Sequence, residues 1–125
     1  MQMDNLRFEK GKKMLYKIDG KGGEEVINSL KDIAPDLGKY IIEFAFGDIY
    51  TRGGLTLKER EMITIVSLLS MGVVEPQLKV HIHAALNVGI PKENIIEAFI
   101  QCIPYAGFPR VLNGVNAARE VFEKK

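Results

Sequence analysis

Cysteine is nearly missing from the chain: Cys102 stands alone among 125 residues. No intrachain disulfide can form, and one lone thiol fits a reducing, cytoplasmic setting. An excess of charge is missing too. Seventeen basic and sixteen acidic residues leave a net charge of +1, which excludes a basic field for nucleic acid and an acidic interaction tail. Long apolar runs are absent. The longest uncharged one, residues 62–74, is too short to span a bilayer and reads as a buried helix. The opening MQMDNLRFEKGKK has no apolar stretch and does not read as a secretory signal. Nothing repeats, nothing is low in complexity, and no segment sustains the period-two alternation of strands. Neither nucleic acid nor a membrane is therefore an expected partner.

What remains is an ordinary globular composition, 46% hydrophobic and 26% charged, arranged with helical spacing throughout. The length suits one domain, residues 1–125, and the pattern predicts an all-α fold. Asp4 can cap a first helix over residues 4–17, whose high charge places it on the surface. A second helix is expected over residues 24–33. A third, over 35–50, is led by Pro35 and rich in aromatics, with Glu43 interrupting its apolar side. Thr56-Leu57-Lys58-Glu59 is a capping box, in which the Thr56 hydroxyl accepts from the Glu59 amide and the Glu59 carboxylate accepts from the Thr56 amide. It opens a helix that runs to Met71 and stops at Gly72. Past Glu61 this helix is apolar on nearly every side. In so short a chain there is little to cover it, which predicts an obligate homo-oligomer.

The chain is organised around LKVHIHAALNVG, residues 78–89, which holds both histidines, His81 and His83. Leu78, Ile82, Ala85 and Leu86 form one helical face, and Gly89 ends it. A helix opened by Pro91 is expected to end at Pro104. Residues 105–109 read as a rigid turn, and a last helix covers 110–123. His81 and His83 alternate as if to share a metal, but residues two apart on a helix point about 200° from one another. With no nearby Cys, His or Glu to complete a site, no metal is expected. Cys102 is most simply a small core residue. Glu61 and Glu97 each admit a bland reading, as a dipole-favoured acid and a solvated face. Arg60 could serve as a surface ion-pair partner, and Tyr105 could wedge the last turn.

Taken in order, Arg60-Glu61, Leu78-x-x-His81, Ala85, Gly89, Ile96-Glu97 and Tyr105-x-Gly107-x-Pro109 form a set. This set resembles the carboxymuconolactone decarboxylase-like family of the alkylhydroperoxidase D-like superfamily. The resemblance covers residues 44–121 and is densest over 55–109. It implies an all-helical subunit in a ring-like homo-oligomer, commonly a hexamer built from dimers or trimers. The superfamily's peroxidase branch carries Cys-x-x-Cys-x-x-x-His. Aligned on His81, its cysteines fall at Val74 and Gln77, neither of which forms a thiolate. The implied activity is therefore cofactor-independent decarboxylation of a carboxymuconolactone, a step in aromatic catabolism.

In that reading His81 and Glu61 are catalytic, Arg60, Tyr105 and His83 bind substrate, and no cofactor is needed. His81 returns a proton to carbon, supported by Glu61 from the neighbouring helix. The alternatives are peroxide chemistry at Cys102 with His81 as base, and a non-catalytic oligomer that binds a small molecule.

Overall fold

The backbone of the computed structural model is described over residues 2–124, with side chains from Leu6 onward, and no strand occurs among these residues. The chain divides into two compact units, one ending at Thr56 and the other starting at Leu57.

The first unit contains α1 (Gln2–Asp19), α2 (Lys21–Ser29) and α3 (Pro35–Tyr40), the last running directly into a π-helical stretch, Ile41–Ile49. α1 already runs through Asp4, so that residue lies inside the helix rather than at its cap; its side chain is outside the described ones. Gly20, with φ of 57°, breaks α1 from α2. α1 was expected on the surface, yet Gly11, Leu15, Ile18 and Asp19 along it are buried.

The π-helical stretch corrects the continuous α-helix expected over residues 35–50. It closes with the Tyr50 amide donating to the Ala45 carbonyl, five residues back, at 2.9 Å. Spacing hydrogen bonds five apart widens the turn and brings residues four apart more nearly into line. The buried positions are Ile42 with Phe46 and Glu43 with Gly47, two such columns. Glu43 does not merely interrupt an apolar face. It is buried with a guanidinium nitrogen of Arg7 at 4.0 Å, while Arg7 grips Asp48 with two further nitrogens at 3.2 and 2.8 Å. α1 meets this stretch backbone to backbone. A Cβ on Gly11 would run into the Ile42 carbonyl oxygen, and one on Gly47 would lie 2.8 Å from that of Arg7.

The second unit contains α4 (Leu57–Met71), α5 (Glu75–Asn87), α6 (Lys92–Gln101), α7 (Ile103–Ala106) and α8 (Phe108–Glu123). α4 starts one residue after Thr56, as the capping box predicts. Pro104 does not end α6. That helix stops at Gln101, and Pro104 sits in the first turn of α7, where its missing amide costs nothing. The expected turn over residues 105–109 is thus mostly helical, with only Gly107, at φ of 93°, outside.

α5 packs against α4 and α8 around a core that includes Ile65, Leu69, Leu78, Ile82, Ile95, Phe99 and Val111. α4 is not covered all round within the chain. Ile65 and Leu69 are buried, whereas Ile63 and Met71 keep 50% and 59% of their surface exposed. The turn from α4 to α5 needs Gly72. Its φ is +94°, and a Cβ there would meet the Arg110 guanidinium at 2.7 Å, the same guanidinium that donates to the Ser70 carbonyl at the end of α4.

These contacts set expectations for three glycines. Gly11→Ala forces a methyl into a backbone carbonyl and is expected to destabilise by about 1–3 kcal/mol or more. Gly72→Ala combines backbone strain with displacement of Arg110 and is expected to destabilise similarly. Gly22, in α2, meets nothing within 4 Å, so Gly22→Ala is expected to be neutral or to stabilise by roughly 0.5–1 kcal/mol. Urea unfolding of the three variants beside the parent checks the ranking.

Candidate active site

The site follows from how α4 and α5 lie together. Glu61, Ile65 and Leu69 are the buried column of α4, each four residues from the next. An acid in that column is carried into the core whatever its own preference. The short link through Gly72 turns α5 back beside α4, and α5 presents Leu78, Ile82 and Ala85 to the core. His81 adjoins that column without belonging to it, and its side chain keeps 20% of its surface exposed while that of Glu61 keeps none. The two meet with His81 Nδ1 3.1 Å from Glu61 Oε1. A ring nitrogen donates or accepts according to the tautomer, so an Nδ1–H would donate to this carboxylate oxygen. The second carboxylate oxygen, Oε2, is buried with no hydrogen-bond partner among the described residues.

His83, two residues along α5, is exposed, as the helical angle requires. Arg60 is half-buried beside Glu61 on α4, and its carbonyl accepts a hydrogen bond from the Thr64 hydroxyl at 2.8 Å. Tyr105, on α7, is 86% exposed, and neither it nor His83 hydrogen-bonds to the pair. Glu97 is exposed on α6. Val74 stands at the N-cap of α5 and Gln77 lies exposed in its first turn. Cys102 is partly buried at the end of α6 as a free thiol. A cavity of about 40 Å³ lies towards the far end of the α4–α5 seam, lined in part by Leu68, Val74, Arg110 and Asn113; neither Glu61 nor His81 lines it. Among the described residues no three His, Cys, Asp or Glu side chains cluster as metal ligands, and no helix is long and apolar enough to cross a membrane.

One contact near the site went unread in the sequence. Lys79, on α5, donates to Glu120 of α8 at 2.7 Å and pairs with Glu75 one turn back at 3.0 Å. The hydrogen bond to Glu120, then that to Glu75, raises the Lys79 pKa above its ordinary value, and Lys79 in turn lowers that of Glu120. A carboxylate lowered in this way holds its partner at neutral pH and releases it as acid protonates it. The i,i+4 spacing of Glu75 and Lys79 was visible in the sequence. The partner 41 residues away was not.

Known proteins resemble this chain over most of its length. The family model described as the carboxymuconolactone decarboxylase family matches residues 35–120. A 4-carboxymuconolactone decarboxylase of Acinetobacter baylyi is 31% identical over 96% of this chain and 90% of its own. A nitrosuccinic acid decarboxylase of Metarhizium robertsii is 30% identical over 86% of this chain and 76% of its own. An uncharacterized 15.0 kDa protein of Paracoccus denitrificans is 27% identical over 79% and 75%. With a family match across both compact units and a relative aligned almost end to end, the chain belongs to the carboxymuconolactone decarboxylase family.

Proposed function

We propose that the protein is a cofactor-independent carboxy-lyase acting on a small acid of the 4-carboxymuconolactone type. The observation that carries the proposal is the hydrogen bond between buried Glu61 and the partly exposed ring of His81. Two relatives named as decarboxylases support the reaction class. Their named substrates share a chemical property. The carboxylate of a carboxymuconolactone sits on a carbon conjugated to a lactone carbonyl, and one carboxylate of nitrosuccinic acid sits on the carbon bearing the nitro group. When carbon dioxide leaves either acid, the electron pair it leaves behind flows onto an oxygen of the neighbouring acceptor. No metal or pyridoxal is needed as a sink.

The protein's task is then to hold the acid, favour the developing charge and return a proton to carbon. An imidazole, with an ordinary pKa of about 6.5, suits the last step. Glu61 accepts the Nδ1–H, fixes the tautomer and offsets the charge of the imidazolium. In the same proposal Arg60 holds a substrate carboxylate and Tyr105 closes over the ligand. The reading also includes a homo-oligomer, hexameric in the family arrangement and located in the cytoplasm. Its support is apolar surface within each unit: Leu37, Tyr40 and Phe44 in the first, Ile63, Met71, Phe108 and Leu112 in the second.

The direct test is carbon dioxide release from 4-carboxymuconolactone and from nitrosuccinate, with a melting curve for every variant. His81→Gln and Glu61→Gln are expected to lose roughly a hundred-fold to ten-thousand-fold in kcat/KM while remaining folded. His83→Gln is expected to change it little. An inactive His83→Gln beside an active His81→Gln would reverse the site assignment, and a wild type that releases no carbon dioxide from either acid removes the lyase.

Two further outcomes follow. Hydroperoxide consumption is expected to be slow and unchanged in Cys102→Ser, since Val74 and Gln77 leave that thiol without a resolving partner on α5. Light scattering at micromolar concentration is expected to give a mass several times 14.0 kDa; a stable monomer overturns the oligomer.

A further inference from the structure

We infer that the Glu61–His81 pair catalyses a second reaction: reversible removal of a carbon-bound proton from acids with an electron-withdrawing neighbour, without loss of carbon dioxide. The inference rests on the lyase reading for the kind of carbon acid involved. The identity of the exchanging atom rests on geometry. Glu61 Oε1 lies 3.1 Å from Nδ1; in this inference Nδ1–H donates to it, and Nε2 gives or takes the proton.

In the lyase direction the last step breaks an Nε2–H bond and forms a C–H bond. The electron pair that had spread onto the acceptor oxygen returns to carbon. The reverse of that step uses the same groups. Neutral His81 takes the proton from carbon, the C–H electron pair spreads onto the nitro or carbonyl oxygen, and the new imidazolium faces the Glu61 carboxylate, which offsets its charge. No oxidant, reductant or co-reactant is required.

The difference in burial within the pair makes the reaction observable. Glu61 is fully buried, so its carboxylate does not equilibrate freely with solvent, whereas the His81 side chain keeps 20% of its surface in contact with water. A sealed imidazole would hand the same proton back to carbon. A partly exposed one trades that proton for one from water between removal and return. In heavy water the carbon acid therefore leaves the site carrying deuterium.

The experiment incubates the protein in heavy water with 3-nitropropanoate and, separately, with the enol-lactone left when 4-carboxymuconolactone loses carbon dioxide. Deuterium at the activated carbon is followed by proton NMR. Carbon dioxide release from the two parent acids is measured in parallel, and melting curves are recorded for every variant. Wild type is expected to exceed the buffer rate by about 100-fold or more on at least one probe. His81→Gln should fall to the buffer rate while still folded, and Glu93→Gln, exposed in the first turn of α6, should stay within about two-fold of wild type. Carbon dioxide release without deuterium incorporation overturns the inference and leaves the lyase standing, since the carbanion would then be protonated by water after release. Incorporation that persists in His81→Gln also overturns it. Incorporation without carbon dioxide release upholds the proton transfer and removes the lyase. Absence of both removes both.

Discussion

A carboxylate withdrawn from water is costly unless something meets it, and Glu61 is withdrawn completely. Its place in the apolar column of α4, in line with Ile65 and Leu69, fixes that burial, and the imidazole of His81 is what meets it. The rest of the second unit serves this encounter. The turn at Gly72 brings α5 back along α4. Arg110 holds the end of α4 through the Ser70 carbonyl, and Lys79 ties α5 to Glu120 on α8. Each contact fixes a helix whose slippage by one residue would rotate either Glu61 or His81 by about 100° and part the two.

The pair is asymmetric. One partner is sealed and the other reaches solvent. A sealed carboxylate acts in a low effective dielectric, where its influence on the ring is stronger than in water. In the proposed reaction the partly exposed ring is the member that exchanges protons. Glu61 Oε1 faces the ring, while Oε2 has no hydrogen-bond partner among the described residues.

Much of the second unit was legible in the sequence. Thr56 marked the start of α4 within a residue, Gly72 and Gly89 marked the ends of two helices, and the helical angle separated His83 from His81. These signals are local, and each is tied to a backbone requirement that neighbouring residues cannot override. The proximity of Glu61 to His81 was readable because a short link between two helices leaves few ways to fold them. What escaped reading depended on distance or on backbone geometry. Nothing local to residues 41–49 announces a widened turn. Pro104 looked like a stop because proline disrupts the interior of a helix, whereas the chain uses it in the first turn of the next one. Gly11 carried no turn chemistry and lay in a charged stretch, so its closeness to the Ile42 carbonyl was invisible until the two backbones were seen in contact.

That closeness has a consequence for how firmly α1 is seated. Side chains that interdigitate can often be repacked, so a helix resting on them tolerates a small slide. α1 instead rests on the π-helical stretch where Gly11 and Gly47 present no side chain at all. A shift of α1 by one residue in either direction would bring Lys10 or Lys12 to the place that only a hydrogen atom fits. The glycine pair thus works as a detent: it adds little attraction of its own, yet it leaves one register open and closes those on either side.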